Sequence, residues 1–598
     1  MSIDRPTVDR SASAPDRTPS VPPRTDSVDS GSTDRFVAVV ERLAAIPVWA
    51  ADPDPELSRA VAFLDWDVDG ETVLQAADGA GVVAAAVVTL AATVLVGLPA
   101  VSLAVGALVG LGGSAAARHG PRGLATARRT RALGTAPELV SAVVLRMRLT
   151  PTTETAAAFA TTTGDGRLAR SLAAHVERAR GTGRSGLSSF ADEWAEWFPA
   201  LRRALTLVES AGSASAEERE RALNSALGVT LEGTRETTAE FAASVNGPAT
   251  ALYAFGVLLP LALVALLPTA GTVGLEVPLA AVVVGYDLFL PTALLLAGAW
   301  LLSRRPVAFP PTPIPRAHPD VPDRRWPAPV AGACTGVATW LVVSAVAARW
   351  TAWVVSPTAG LGVALLVSYR PTIAVRDRVE AVESGLPDAL YLVGREVGRG
   401  RAVEAALDDA VELLDSATGE VFADAVRQQR QVRAGVRESF LGEHGALATV
   451  PSERAKSTAE LLAVAASEGQ PAGPAIVAMA DHLDDLRGVE REIRRELERV
   501  TSTLANTAAV FGPLVGGATV TLAEQMSSDG PLTAAVSPAT LGVAVGVYVM
   551  LLAAILTTLA TGLERGLDRS LVGYRVGRAL CLASGVFVVG LVGTGWLV

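Results

Sequence analysis

Residues 79–117, GAGVVAAAVVTLAATVLVGLPAVSLAVGALVGLGGSAAA, form a run of 39 residues without a charged side chain. A helix needs about 20 predominantly apolar residues to cross the hydrocarbon core of a bilayer. The run is long enough for two such helices, and Gly97, Leu98 and Pro99 interrupt it near its middle, where glycine and proline favour a turn. The stretch therefore predicts a transmembrane helical hairpin and, with it, an integral membrane protein.

Further apolar runs follow the hairpin along the chain. They cover residues 241–275, 277–303, 328–348, 350–369, 500–522, about 538–563 and 579–598. Together with the hairpin they make nine predicted spans. No stretch between them shows a convincing alternation of apolar and polar residues, so no strand is predicted. The chain is expected to be all-α and polytopic.

The overall composition agrees with a membrane protein. Half of the 598 residues are hydrophobic and the mean hydropathy is +0.37, which is more apolar than a soluble globular chain of this size usually is. Acidic residues outnumber basic ones by 61 to 51. This balance argues against nucleic acid as a partner, because binding to its phosphates needs a basic excess. Lys456 is the only lysine, a composition typical of a salt-adapted, high-GC organism.

Two charged stretches separate the groups of spans. Segments such as PELVSAVVLRM (137–147) and PDALYLVGREV (387–397) place apolar residues at helical spacing, which predicts two helical-bundle domains. Similar residues also coincide at an offset of 250: Pro137 with Pro387, Glu138 with Asp388, Val143 with Val393, Glu154 with Glu404, and Ala156 with Ala406. These coincidences and the order of the spans predict a tandem repeat.

The predicted organisation follows from these runs. A tail too polar to fold (1–34), without the apolar core of a signal peptide, precedes an amphipathic cytoplasmic segment (35–77). The remaining segments are a transmembrane hairpin (78–117), a first cytoplasmic helical domain (118–248), a transmembrane pair (249–303), a Pro/Arg-rich cytoplasmic linker (304–327), a second hairpin (328–369), a second cytoplasmic helical domain (370–499), a transmembrane pair (500–563), a cytoplasmic loop (564–578) and a C-terminal span (579–598).

Arginine placement predicts the orientation in the membrane. Basic residues near span ends stay on the cytoplasmic side. If the two helical domains are cytoplasmic, the arginines that follow spans on the same side lie inside as well. These are Arg304, Arg305, Arg316, Arg324, Arg325, Arg565, Arg569, Arg575 and Arg578. Only Arg349 lies in a short outer turn. The N-terminus is then cytoplasmic and the C-terminus external.

Asp287, in VVVGYDLFLPTALL (282–295), is the only ionisable residue predicted inside a span. Ionisable residues in the membrane are costly and are functional candidates by default. We favour a structural interpretation, a buried hydrogen bond to Tyr286 or to a neighbouring helix, because no acid occupies the matching span of the second repeat.

Two groups of arginines are candidate binding residues. The first group follows the first hairpin and consists of Arg118, Arg122, Arg128, Arg129 and Arg131. With no acid among them, these residues are expected to anchor the chain to anionic lipid headgroups.

The second group, called here the arginine stripe, consists of Arg427, Arg430, Arg433 and Arg437. Helical spacing predicts that they share one side of a helix. Between residues 370 and 500 there are 17 basic and 24 acidic residues, so the stripe stands out locally. It is either a solvated surface or a docking surface for a cytoplasmic partner.

Motifs of catalysis are missing from the sequence. Lys456 lies in SERAKST, where the glycines of a phosphate-binding loop are absent, and GTGRSG (181–186) follows a helical segment rather than a strand. Cys334 and Cys581 lie in apolar runs without metal-ligand spacing. We therefore expect neither an enzyme nor a bound cofactor or metal. The small-residue runs GALVG (106–110) and GVAVG (542–546) indicate close helix packing, within the chain or between two copies in a homodimer.

The doubled order of helical domain and membrane helices resembles the secretion-system F family, the platform proteins of type IV pili, archaella and type II secretion. APELVSAVVLRMRLTPTTETAAAFA (136–160) is similar to the family's opening proline, helix, turn and second helix. FAASVNGPATALYAFGVLLPLALVALLP (241–268) resembles the span entry of the archaeal branch. LPDALYLVGREVGRGRAVEAAL (386–407) and FGPLVGG (511–517) stand at the corresponding places in the second half. The resemblance covers nearly the whole chain after residue 78, with nine spans in place of the commoner bacterial three.

This resemblance implies a non-enzymatic platform in the cell membrane. Such a platform docks a hexameric secretion ATPase on its cytoplasmic domains and passes the motion of that ATPase to pilin-like subunits, which are lifted from the bilayer into a filament. The implied partners are the ATPase, the pilin-like subunits and membrane lipids. The alternative is a polytopic transporter with cytoplasmic regulatory domains, which would place polar sites near the middle of the membrane.

Overall fold

The structure is a computed structural model that describes residues 54–64, 66, 68–96, 99–164, 166–182, 185–270, 279–305, 314–315, 318–322, 326–468, 472–528 and 538–597. The predicted disordered tail (1–34) and much of the predicted Pro/Arg-rich linker (304–327) lie outside these residues.

The first described elements form a helical hairpin with a short helix packed beside it. They are α1 (Pro55–Phe63), α2 (Gly70–Val96) and α3 (Pro99–Leu133). Asp54 caps α1, because its side chain accepts hydrogen bonds from the backbone amides of Glu56 and Leu57. The α3 helix continues well beyond the predicted end of the hairpin at Ala117, so it carries the first arginine group out of the apolar segment.

A first helical bundle follows the hairpin. Its helices are α4 (Ala136–Leu149), α5 (Thr153–Thr163), α6 (Gly166–Ala179), α7 (Leu187–Trp194), α8 (Pro199–Ala211) and α9 (Ala216–Tyr253). Ser215 and Glu218 form a reciprocal capping box that begins α9. Met147, Phe190 and Trp194 are buried in the core between these helices.

The α9 helix leads directly into apolar helices. These are the π-helical segment π1 (Ala254–Leu258) with α10 (Leu259–Ala270), and then α11 (Leu279–Val283), the π-helical segment π2 (Val284–Phe289) and α12 (Leu290–Ser303). Short π-helical segments inside longer helices are rare and occur frequently at functional sites.

The second half begins with another helical pair, α13 (Pro327–Val346) and α14 (Arg349–Gly398). The two helices approach closely at glycines: a Cβ added to Gly332 would lie 2.6 Å from the carbonyl oxygen of Gly360. The α14 helix is 50 residues long and passes from an apolar first part into the second helical bundle.

The rest of the second bundle is formed by α15 (Val403–Leu413), α16 (Ala417–Val432), α17 (Val436–Leu441), α18 (Glu453–Glu468) and α19 (Gly473–Asn506). In its core the rings of Phe422 and Phe440 meet edge to face, with their centroids 5.4 Å apart. The chain closes with the π-helical segment π3 (Thr507–Phe511), α20 (Gly512–Ser528), α21 (Pro538–Arg565) and α22 (Arg569–Leu597).

The described elements are helices, and no strand occurs among the described residues. Eight helices in this part of the chain are long and apolar enough to cross a membrane. Each overlaps one of the nine predicted spans. The remaining predicted span corresponds to the first part of α3, where several side chains lie outside the described residues. The prediction of an all-α, polytopic membrane protein is confirmed at this level.

Candidate functional site

A largely buried arginine, Arg454, contributes to the contact between the two helical bundles. Arg454 lies near the start of α18, and its side chain is 16% exposed. Its Nε donates to Glu138 Oε1 of the first bundle at 3.0 Å, and its Nη1 lies 3.4 Å from Glu383 Oε2 and 3.1 Å from Glu490 Oε2. Burial lowers the pKa of the Arg454 guanidinium, but the three carboxylates outweigh burial and hold that pKa above its usual range. The guanidinium is thus a permanent positive charge shared between the bundles.

The Arg454 cluster lies in the wall of a large cavity. The cavity has a volume of about 1680 Å³ and lies between both bundles and the C-terminal ends of α3, α12 and α21. Twelve arginines and nine acidic residues line it. A cavity of this size and charge is suited to bind an anion or to hold the bundles in a defined arrangement by ion pairs.

Arg305 lies in the wall of the cavity next to the spans. It is buried, with 6% of its surface exposed. Its Nε donates to the carbonyl oxygen of Leu563 at 2.6 Å and its Nη2 to that of Glu564 at 3.1 Å. Burial lowers the pKa of Arg305 to about 10. Because these carbonyls end α21, Arg305 joins the end of α12 to the end of α21.

An ion pair adds a second contact to this wall. Arg376 of α14 lies 3.1 Å from Asp568, measured from Nη2 to Oδ2, in the turn between α21 and α22. Burial raises the pKa of Asp568, but hydrogen bonds from Ser570 and the Leu571 amide, together with Arg376, hold it below its usual range. The carboxylate is therefore ionised and holds the turn against α14.

The first arginine group, predicted to anchor lipids, has partners within the chain at two positions. Arg118 pairs with Asp78 of α2, with Nε 3.0 Å and Nη2 2.6 Å from Oδ1, and Arg122 pairs with Asp54. The sequence shows no acid among the arginines, but the hairpin and α1 bring these two carboxylates to them. Both arginines join α3 to its neighbours.

The other three arginines of this group lie elsewhere on α3. The Arg129 guanidinium lies over the rings of Phe63 and Trp197, 4.7 and 4.0 Å from their centroids. Burial lowers the pKa of Arg129. Arg128 and Arg131 line the cavity. The five arginines therefore do not form one continuous lipid-facing surface.

The arginine stripe does not lie on one helix, so the prediction of a single helical face is wrong. The α16 helix ends at Val432, and Arg433 adopts a left-handed conformation with φ of 55°. Gly435 then precedes the new helix α17, which begins at Val436. A residue in the left-handed region ends a helix because the next turn cannot continue the hydrogen-bond pattern.

Three stripe arginines pair with acids of their own bundle. The pairs are Arg427 with Asp424 at 2.7 Å, Arg430 with Asp408 and Arg437 with Glu460 at 2.6 Å. Their side chains remain 61%, 68% and 71% exposed, so they are still accessible to a partner.

Asp287 lies in π2 beside Tyr286. The expected hydrogen bond between the two side chains is not formed, because the Tyr286 hydroxyl donates to the carbonyl oxygen of Pro260 at 2.8 Å. Asp287 Oδ1 is buried and has no hydrogen-bond partner among the described residues. The Tyr286 ring meets the Tyr548 ring edge to face, with centroids 5.6 Å apart, and the Tyr548 hydroxyl donates to Gly256 in π1. The two π-helical segments are thereby joined through α21.

His175 contacts a serine and an acid in the first bundle. Its Nδ1 lies 2.9 Å from Ser189 Oγ and its Nε2 2.5 Å from Glu193 Oε2. The Ser189 hydroxyl donates to the carbonyl oxygen of Gly186, and the hydrogen bond from His175 lowers the pKa of Glu193. The contact joins α6 to α7. Within the described ranges, no group of three or more His, Cys, Asp or Glu side chains is placed to hold a metal ion.

The contacts that Arg454 and Arg305 make in the cavity wall were not predicted from the sequence. Arg454 lies in SERAKST, which we considered only as a phosphate-binding loop, and its partner Glu138 is 316 residues away. Arg305 was assigned only to the cytoplasmic side. No local spacing points to either contact, because each depends on helices distant in sequence.

Comparison with known proteins identifies no relative of this chain. No family model matches the chain, and no curated protein or solved structure matches it. Its function is therefore inferred from its own residues and geometry.

Proposed function

We propose that this chain is a membrane platform protein of the secretion-system F family. It would couple a cytoplasmic secretion ATPase to the assembly of pilin-like subunits in a type IV pilus-like, archaellum or type II secretion machine. The observation that carries the proposal is the continuity of helices between bundles and spans. The chain would serve as a non-enzymatic transmitter of force.

Three helical rods connect the bundles to the apolar segments. The first rod consists of α9, π1 and α10, the second is α14, and the third consists of α19, π3 and α20. A helix transmits displacement along its axis because each turn is hydrogen-bonded to the next. A partner that moves a bundle would therefore move the attached spans, as a platform requires.

The order of helices supports a tandem repeat. Helices α4 to α9 correspond in order to the inner part of α14 followed by α15 to α19, and π1 corresponds to π3. Both π-helical segments are five residues long, and each follows a long helix that leaves a bundle: 38 residues in α9 and 34 in α19. Such agreement is expected of two copies of one unit, each with its own helical domain.

The positions of three arginines at the ends of apolar helices support the proposed orientation. Arg305, Arg565 and Arg569 line the same cavity as residues of both bundles. The ends of α12 and α21 therefore lie on the side of the bundles. With basic residues inside, the bundles are proposed to be cytoplasmic, the N-terminus inside and the C-terminus outside.

The proposal is tested by purification and by filament assembly. The tagged full chain should recover the secretion ATPase encoded in the same genome from membranes solubilised at moderate ionic strength, whereas an equally abundant tagged membrane protein should not. Deletion of the chain should abolish surface filaments, and the intact chain should restore them. Unchanged filaments in the deletion strain, with no ATPase recovered, would exclude this function.

A transporter is the second candidate, favoured by one observation. Asp287 Oδ1 is buried without a hydrogen-bond partner among the described residues and lies in a π-helical segment inside a span. Membrane carboxylates of this kind mark ion pathways in transporters. A transporter would depend on the charge of Asp287, whereas a platform would not.

A further inference from the structure

The membrane-proximal wall of the cavity carries three arginines that form no ion pair in the described part of the chain. Arg128 and Arg131 on α3 and Arg569 at the start of α22 line the cavity and are exposed. In the described part of the chain, none of them has a carboxylate oxygen within 4.0 Å. The neighbouring arginines of this wall are occupied, since Arg305 binds two carbonyls and Arg376 binds Asp568.

One of these arginines, Arg131, also acts on the buried Arg305. Burial and Arg131 lower the pKa of Arg305, whereas the nearby Glu564 raises it. The carboxylates of this wall, Glu564 and Asp568, already pair with other arginines. Arg128, Arg131 and Arg569 can therefore bind an added anion, and guanidinium groups match phosphate oxygens with paired hydrogen bonds.

Apolar side chains line the same part of the cavity. Leu124 of α3, Leu302 of α12 and Leu567 of the turn after α21 face it, and Leu124 and Leu567 are exposed. Leu302 lies one residue before the end of a candidate span, and Leu567 two residues after the end of another. The wall therefore offers positive charge and apolar surface together, at the level where spans leave the membrane.

We propose that this wall is a binding site for one anionic phospholipid, with the headgroup phosphate on Arg128, Arg131 and Arg569 and the start of the acyl chains against Leu124, Leu302 and Leu567. The site differs from general attraction of basic residues to a membrane, because its residues come from three helices, α3, α12 and α22, and from the turn before α22. It depends on the placement of the chain in a membrane but not on the proposed platform function. A bound lipid would fill the space between the first bundle and the ends of α12 and α21.

The test uses the purified full chain in a neutral detergent at moderate ionic strength, since high salt weakens such contacts. Native mass spectrometry would follow the binding of phosphatidylglycerol, with phosphatidylcholine of the same chains and free glycerol phosphate as separate probes. Wild type should retain one phosphatidylglycerol in preference to phosphatidylcholine. The variant R128Q/R131Q/R569Q should bind phosphatidylglycerol at least about tenfold more weakly, because the loss of even one charge-assisted hydrogen bond has an effect of this order.

The matched control is R180Q/R202Q/R221Q, which removes the same charge from exposed arginines of the first bundle. It should bind lipid as wild type does. Leu567→Gln should weaken the binding of phosphatidylglycerol without changing the binding of glycerol phosphate. If the triple variant does not fold, as judged by circular dichroism, R128Q and R569Q are measured singly, and each should weaken binding.

Three outcomes would overturn the proposal. The first is that wild type and the cavity variants bind phosphatidylglycerol equally well. The second is that the control variant loses as much phosphatidylglycerol binding as the cavity variants do. The third is displacement of the lipid by an equal concentration of glycerol phosphate, which would assign the site to a soluble anion.

Discussion

Arg235 of α9 and Glu492 of α19 form an ion pair between the bundles, with 3.1 Å between Nε and Oε2. Arg235 follows Ala216, the first residue of α9, by 19 residues, and Glu492 follows Gly473, the first residue of α19, by 19 residues. Each of the two residues therefore lies well inside the last long helix of its bundle. The ion pair therefore joins the long helix that leaves the first bundle to the long helix that leaves the second.

This contact predicts a cross-link. In a chain with Cys334 and Cys581 replaced by serine, Arg235→Cys and Glu492→Cys should be joined by a short bismaleimide within one monomer. The reason is that the two side chains already meet in the folded chain. Gel mobility under denaturing conditions measures the product. Arg221→Cys with Glu492→Cys is the control pair, and equal cross-linking of both pairs would contradict the proposed packing.

Removal of the Arg454 side chain should destabilise the chain strongly. Arg454→Ala would remove the positive charge that Glu138, Glu383 and Glu490 share. Glu490 would keep its ion pair with Arg494, but Glu138 and Glu383 would lose theirs. Breaking a buried ion pair by removing one partner costs about 3–5 kcal/mol. Arg437→Ala, which removes an exposed pair, should cost only about 0–1 kcal/mol. Denaturant unfolding in detergent measures the loss of stability in both variants. Similar denaturation midpoints for Arg454→Ala and Arg437→Ala would refute a special role for Arg454.

The arginine stripe remains a prediction for ATPase docking, now as a surface formed by α16 and α17. A fourfold change of Arg427, Arg430, Arg433 and Arg437 to glutamate should reduce co-purification of the ATPase at moderate ionic strength. Each exposed pair contributes little, so single changes should show small effects that add up. The control is the same change at Arg180, Arg202, Arg203 and Arg221 in the first bundle. Undiminished recovery of the ATPase by a stable, inserted stripe variant would place docking elsewhere.

Asp287→Asn separates the two candidate functions. Asparagine keeps the shape of the side chain and removes its charge, so a platform protein should still assemble filaments. A transporter should lose its activity with this variant. The measurement is filament assembly at normal protein level, with Asp415→Asn on the exposed surface as control. Loss of filaments in Asp287→Asn alone would show that the charge is used.

The proposed topology predicts which single cysteines an impermeant maleimide reaches. In the chain without Cys334 and Cys581, cysteines at Thr272 and Ser528 should be labelled from outside and a cysteine at Ser303 should not. Arginine asymmetry is the physical reason. Labelling after membrane disruption controls for reactivity. Outside labelling at Ser303, or failure at both other positions, would reverse the orientation.

Much of the fold could be predicted because its causes are local. A run such as 79–117 has to become membrane helices, since every buried backbone amide and carbonyl must be paired within its own segment. Helical spacing around Pro137 and Pro387 likewise predicted helical elements where α4 and α14 lie. The offset between these prolines also pointed to the repeat that the order of helices supports.

Other features depended on packing between distant segments. The sequence by itself determined that the chain is helical and polytopic, because hydrophobicity and helical spacing act over a few turns. Only the tertiary structure decided that Asp78 pairs with Arg118, that Arg454 reaches Glu138, and that Arg128 and Arg131 face a cavity. The physical reason is that an arginine pairs with whichever acceptor the folded helices bring within about 3 Å, and no local pattern encodes that acceptor.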